Sequence, residues 1–124
     1  CGICGLAAGL RFVQQQTPQR LLAHEVRQRK LLTSLLTDVP GVRLFTGEPQ
    51  SGTLSLCAAQ MDCETLAARL AVKGVCVRAG LHCAPLAHES AGTLETGTVR
   101  FSLSAFNTEQ EIFRTADLLK EILA

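Results

Sequence analysis

Apolar residues along this 124-residue chain recur at two spacings, one typical of helices and one of strands. Helical spacing, with apolar side chains three or four positions apart, covers residues 3–13, 22–39, 66–70 and 112–123. Apolar and polar residues alternate in residues 42–46, 54–58, 75–77 and 99–103. The predicted order is helix, helix, strand, strand, helix, strand, strand, helix. It indicates an α+β fold: a small, mainly antiparallel sheet of three to four strands with helices packed on one face.

Capping and turn residues mark the ends of these elements. Thr17, followed by a proline, is typical of the start of the second helix. Asp62 is predicted to begin the third helix and Gly74 to end it. Thr108 and Glu111 have the spacing of a capping box at the start of the last helix. The buried side of that last helix is predicted to contain Ile112, Ala116, Leu119 and Leu123.

The second helix has an apolar side that includes Leu22 and Leu32, and a basic side. The basic side contains Arg20, Arg27, Arg29 and Lys30. A row of this kind is typical of a solvated helix face, which is the prediction, and a docking surface for an acidic partner is the alternative. His24 lies among these polar residues and has no evident partner.

The first helix, residues 1–16, carries Gly5 and Gly9 on another side from its apolar residues. A glycine in a helix interior costs about 1 kcal/mol relative to alanine. We therefore expect another backbone to approach this helix closely.

Composition limits the domain count and the class of function. A chain of 124 residues that is 47% hydrophobic is expected to form one domain, residues 1–124. Twelve basic and eleven acidic residues without strong clustering indicate no nucleic-acid surface. No uncharged apolar run approaches the roughly 18 residues of a membrane span. The six cysteines lie in apolar segments without metal-ligand spacing, so we expect free thiols in a reducing cytoplasm and no metal site.

Candidate chemistry is concentrated in residues 75–108, where two predicted strands flank a loop of about twenty residues. Loops of that length are usually functional or disordered. Side chains alternate along a strand, so Arg78 and Arg100 point away from the core if their apolar neighbours point into it. If the two strands are neighbours, one sheet face presents both guanidinium groups beside His82 and Cys83.

Arginine is suited to binding a carboxylate through two hydrogen bonds, and cations near a cysteine favour its nucleophilic thiolate. Two arginines on the exposed face of a sheet are also compatible with simple solvation. The pattern by itself leaves both interpretations open.

Three motifs in this stretch, however, have a familiar order and spacing. They are RAGLHCAPL at residues 78–86, GTVRFS at residues 97–102, and Phe106-Asn107-Thr108 followed by Glu109 and Glu111. Together they resemble the C-terminal segment of the cysteine desulfurases and selenocysteine lyases that depend on pyridoxal phosphate and belong to the class V aminotransferase family. The resemblance covers essentially the whole chain, because the last third of such enzymes also begins with a glycine-containing helix.

The resemblance implies roles for four residues. Cys83 would take sulfur from L-cysteine as a persulfide, with release of L-alanine, and Arg100 would bind the carboxylate of the substrate. Arg78 and His82 would lie in the same wall of the active site. His82 is a candidate proton carrier, although a polar loop residue is an equal alternative, and His88 is a weaker candidate for the same task.

The resemblance also implies which partners and cofactor to expect. The chain would be the C-terminal small domain of a fold type I enzyme, with residues 1–16 as an interdomain helix. An N-terminal domain would supply pyridoxal phosphate and the lysine that binds it, since Lys30, Lys73 and Lys120 do not stand in that lysine's motif. We therefore expect no cofactor bound to this chain and no activity from it alone. The complete enzyme would be a homodimer that passes sulfur to an acceptor protein.

Two other interpretations remain open. The chain could be the domain of a class V aminotransferase or lyase in which Cys83 is incidental and only Arg100 keeps its role. It could also be a stand-alone thiol or docking module.

Overall fold

The computed structural model describes residues 1–124. It contains five helices, α1 (Gly2–Gln16), α2 (Pro18–Leu36), α3 (Cys63–Val72), α4 (Pro85–Ala91) and α5 (Glu109–Leu123). Its four strands are β1 (Val42–Phe45), β2 (Thr53–Ala58), β3 (Arg78–Gly80) and β4 (Thr98–Ser102). None of the helices combines the length and the apolar character needed to cross a bilayer.

The four strands form one antiparallel sheet in the order β1-β2-β4-β3. β1 and β2 are a hairpin, as predicted, and β4 lies between β2 and β3. The α+β fold with a small antiparallel sheet, predicted from the alternating spacings, is confirmed. Because β4 is a central strand, both of its neighbours fix its register.

The core lies between the sheet and helices α2, α3 and α5. The sheet contributes buried side chains that alternate along β2 and β4, namely Leu54, Leu56, Val99 and Phe101. The helices contribute Leu32, Leu36, Leu66 and Leu70, and the last helix buries the four predicted residues, Ile112, Ala116, Leu119 and Leu123. Full burial of one large apolar side chain contributes about 1.5–3 kcal/mol, so this single cluster holds the layers together.

Several predicted helix ends are confirmed by hydrogen bonds. The Asp62 side chain accepts a hydrogen bond from the Thr65 amide at 2.8 Å, at the start of α3. Thr108 and Glu111 form both hydrogen bonds of a capping box at the start of α5. These helix starts could be predicted from the sequence because each cap involves only residues three positions apart.

The structure differs from the predicted elements in the stretch that carries the candidate chemistry. The predicted strand at residues 75–77 has no strand pairing; the strand begins three residues later, at Arg78. Val75 and Val77 still pack against the core, so the predicted alternation is kept. Helix α4 was not predicted, because seven residues are too few to show helical periodicity. Its available signals were Pro85 at the first turn and Gly92, which ends it in the left-handed conformation.

The prediction of a solvated basic face on α2 was wrong for Arg29. Arg29 is 3% exposed, whereas Leu22, predicted to face the core, is 51% exposed. The predicted Leu32 and Leu36 are buried, and the buried side also includes Gln28; these three residues recur every four positions, on a helix that lies against β1, β2 and α5. Tertiary packing therefore buries Gln28 and Arg29 beside the predicted Leu32 and leaves Leu22 exposed.

The prediction of a backbone close to Gly5 and Gly9 is not met within this chain. No atom from elsewhere in the chain lies within 4 Å of a Cβ built at either glycine. The apolar side of α1 is also exposed, from 87% at Ile3 to 39% at Val13.

Gly97 gives a test of how β3 and β4 are held together. Its φ is +61°, and a Cβ there would lie 3.0 Å from the Gly80 Cα and 3.0 Å from the Cys63 Sγ. We expect Gly97→Ala to lower the free energy of unfolding by about 2 kcal/mol, because it adds both backbone strain and a clash. Urea unfolding measures this. The control Gly5→Ala, in a helix with open space, should be neutral or gain up to about 1 kcal/mol; equal effects of both substitutions would contradict the packing.

Candidate functional site

The sheet face opposite α2, α3 and α5, here called the outer face, presents a pair of arginines. Arg78 of β3 and Arg100 of β4 are direct partners in the antiparallel register. Their neighbours Ala79 and Val99 point to the core side, so both guanidinium side chains leave the outer side of the sheet. The predicted juxtaposition of two neighbouring arginine-bearing strands is therefore present.

Directly after β3, the chain makes a turn in an unusual conformation. His82 has a φ of 53° and Cys83 a φ of 59°, so two consecutive residues with side chains are left-handed. Each such residue costs roughly 1–2 kcal/mol. The turn is closed by the Ala84 amide, which donates to the Leu81 carbonyl at 2.9 Å. The turn leaves the Cys83 thiol exposed to solvent.

His82 ties this turn to the outer face. Its Nε2 lies 3.1 Å from the Thr98 Oγ1, on the strand position two residues before Arg100. Burial lowers the pKa of His82, and the nearby Arg100 guanidinium lowers it further. The imidazole is therefore neutral at neutral pH, and its two nitrogens have different roles.

Two polar atoms in this region are buried without a hydrogen-bond partner, the His82 Nδ1 and the Arg100 Nε. Buried polar groups in folded proteins are normally paired, and an unpaired one costs about 1–3 kcal/mol. Both atoms belong to the same neighbourhood of the outer face. This arrangement suits a surface that is completed by a ligand or by another part of a larger protein.

Sequence reasoning gave little weight to His88 and overlooked two threonines. His88 is 6% exposed, and its Nδ1 lies 2.8 Å from the Thr93 Oγ1. The ring centroids of His88 and His82 are 5.8 Å apart, so α4 packs beside the turn. Thr98 could have been predicted as a site residue, because it lies two positions before Arg100 on β4 and its side chain therefore leaves the same face of the sheet. The link to Thr93 depends on a short helix that the sequence pattern does not reveal.

One buried and one half-buried thiol differ from Cys83. Cys63 is buried, and burial, followed by its hydrogen bond to the Glu64 carboxylate, raises its pKa to about 11. Burial also raises the pKa of Cys57, whose thiol donates to the Gly97 carbonyl at 3.3 Å. Both thiols therefore stay protonated at neutral pH and are poor nucleophiles.

The structure thus brings Arg78, Arg100 and His82 into one region of the outer face, with Cys83 next to His82 at the exposed end of the turn. Five surface grooves of about 290–660 Å³ contain none of these four residues. The candidate site is accordingly an open wall, with an exposed thiol and two cations that suit a carboxylate.

Residues 1–114 match the profile of the family described as aminotransferase class-V. The chain is 38% identical over 109 residues to a probable cysteine desulfurase of Mycolicibacterium paratuberculosis. That match covers 87% of this chain and 16% of the relative. It is 33% identical over 125 residues to a probable cysteine desulfurase of Methanothermobacter thermautotrophicus. That match covers 98% of this chain and 31% of the relative. The chain therefore spans less than a third of the length of these curated relatives.

Solved structures give the same picture of the fold. The apo structure of a cysteine desulfurase from Thermococcus onnurineus superposes with a TM-score of 0.88 at 26% identity, over 96% of this chain and 30% of that one. The cysteine desulfurase CsdA from Escherichia coli superposes with a TM-score of 0.87 at 25% identity, over 99% of this chain and 31% of that one.

The left-handed turn gives a test that is independent of any reaction. Cys83 is exposed and its side chain makes no hydrogen bond, so replacing it removes few contacts. We expect Cys83→Gly to be more stable than Cys83→Ala by about 1 kcal/mol, because glycine adopts a positive φ without strain and alanine does not. Thermal and urea unfolding of the two variants measure the difference. Equal stability would show that residue 83 does not hold this backbone conformation.

Proposed function

Because the chain belongs to the class V aminotransferase family, we propose that it is the C-terminal small domain of a cysteine desulfurase that depends on pyridoxal phosphate. Cys83 is the residue that accepts sulfur from L-cysteine. The observation that carries this proposal is an exposed thiol, on a left-handed turn, beside a sheet face with two paired arginines. The relatives named as cysteine desulfurases support it.

Arg100 binds the carboxylate of the substrate in this proposal. Its Nε is buried and unpaired, so a carboxylate oxygen would satisfy it and add a charge-assisted hydrogen bond. Arg78, directly opposite on β3, adds a second positive charge to the same wall. Together they orient an amino acid by its carboxylate end.

Cys83 performs the sulfur transfer. Its thiolate attacks the sulfur of the bound L-cysteine, a sulfur–sulfur bond forms, and the carbon–sulfur bond of the substrate breaks. The electron pair of that bond goes to the substrate carbon, which takes up a proton, so the products are a Cys83 persulfide and L-alanine. In this proposal His82 holds or moves a proton at its Nδ1, which its contact with Thr98 and its lowered pKa support.

Pyridoxal phosphate, when bound in the complete enzyme, withdraws electrons from the substrate and makes its sulfur open to attack. No residue of this chain is assigned to holding it. The three lysines lie on α2, at the end of α3 and on α5, in the layer away from the outer face. We infer that a separate N-terminal domain binds the cofactor and that residues 1–124 alone turn over no substrate.

The complete enzyme is also expected to have protein partners and a reducing environment. An exposed persulfide on Cys83 is accessible to a sulfur-acceptor protein, and residues 1–16 form an interdomain helix in a homodimer. All six cysteines are free, which suits a reducing cytoplasm.

The role of Cys83 is tested in the complete enzyme. We expect Cys83→Ala to lower alanine release from L-cysteine by about 100-fold or more, because the sulfur acceptor is removed. A persulfide on the peptide that contains residue 83, trapped by alkylation and found by mass spectrometry, should disappear with it. The matched control is Cys76→Ala, which removes another exposed thiol. Full turnover by Cys83→Ala would instead favour an aminotransferase or lyase in which this cysteine is incidental.

The role of Arg100 has a different kinetic signature. We expect Arg100→Gln to raise KM for L-cysteine by roughly 10- to 100-fold, because a hydrogen-bonded charge pair contributes about 1.5–3 kcal/mol to binding. Arg100→Lys should recover only part of the affinity, since lysine lacks the planar fork. Arg69→Gln, which removes an exposed arginine on α3, serves as the control. An unchanged KM in Arg100→Gln would contradict carboxylate binding by this residue.

A further inference from the structure

A polar groove of about 450 Å³ lies between α2 and the loop after β1, away from the outer face. No hydrophobic residue lines it. Arg29, Lys30 and Thr33 contribute from α2, and Thr46 and Glu48 contribute from the loop. A groove of this composition is unsuited to an apolar ligand and suits a small, charged one.

Arg29 is an unusual lining residue because it is almost fully buried, with its side chain 3% exposed. Its Nε is buried and makes no hydrogen bond. Its one ionic contact joins Nη2 to the Glu48 Oε1 at 3.5 Å, and the Glu48 side chain is 71% exposed. A buried cation normally requires close pairing, and a long contact to a solvated carboxylate compensates it poorly.

A second unpaired donor lies one helical turn further along α2. The Thr33 Oγ1 is buried and has no hydrogen-bond partner, and residues four positions apart share one side of a helix. Lys30 adds another positive charge to the groove. The groove therefore combines a guanidinium, an ammonium and a hydroxyl, with only one carboxylate, and that one is loosely held.

We propose that this groove binds a small tetrahedral oxyanion, of the phosphate or sulfate class. Such an anion offers acceptors in several directions, as donors from a guanidinium, a hydroxyl and a lysine require, and a planar carboxylate uses fewer of them. The anion replaces Glu48 as the partner of Arg29. The ligand is either free inorganic phosphate or the phosphate group of a larger molecule, which share this chemistry.

The test is calorimetric titration of this chain with inorganic phosphate, sulfate, glycerol 2-phosphate and acetate at constant ionic strength. We expect saturable binding of phosphate and sulfate and at least 10-fold weaker binding to Arg29→Gln. Removal of the competing carboxylate in Glu48→Gln should strengthen binding about threefold. Arg20→Gln, an exposed arginine on the same helix, is the control and should bind as the unsubstituted chain does. Glycerol 2-phosphate that binds as tightly as phosphate identifies a phosphorylated molecule as the ligand. Binding of inorganic phosphate without binding of glycerol 2-phosphate identifies the free anion.

Thr33→Val separates binding from folding. Because the hydroxyl is unpaired in the absence of ligand, this isosteric change should leave the unfolding midpoint unchanged or raise it, while phosphate binding weakens about fivefold. This variant and Glu48→Gln decide the matter if Arg29→Gln fails to fold. The proposal is overturned if no saturable binding occurs, if acetate binds more tightly than phosphate, or if Thr33→Val and Glu48→Gln both bind phosphate as the unsubstituted chain does.

Discussion

The pairing of β3 with β4 is the constraint on which the candidate site depends. It sets Arg78 directly opposite Arg100, and like charges at such a position destabilise a sheet by up to about 1 kcal/mol. The register cannot slip to relieve this repulsion, because a one-residue shift would turn Val99 and Phe101 out of the core. Core burial thus holds two cations together, and neither of them forms an ion pair with a carboxylate of this chain. The proposed carboxylate ligand is the group that would balance them.

Local signals made much of the fold predictable. The capping box at Thr108, the cap at Asp62 and the buried side of α5 each depend on residues a few positions apart, and all are found as predicted. The outward direction of Arg78 and Arg100 followed from strand parity even though the strand itself begins later than expected. Parity survives such an error because it depends only on which neighbours reach the core.

The features that escaped prediction depend on distant contacts. Arg29 is buried because α2 turns Gln28, Leu32 and Leu36 towards the sheet, and nothing in the helix alone fixes that rotation. Helix α4 is held through side chains such as His88, and the Arg43 Nη2 of β1 donates to the Ala91 carbonyl at 3.1 Å. Such a helix has little periodicity of its own, so its position can be read only from the folded chain.

The fold alone does not determine the chemistry. In the proposed function the sulfur chemistry is therefore assigned to the turn at His82 and Cys83, and not to the sheet. Cys63 and Cys57 are kept protonated by burial, whereas the strained turn presents Cys83 to solvent. The stability of the packed inner layer permits that strain, and Cys83 is the exposed thiol that lies on the strained turn, next to His82.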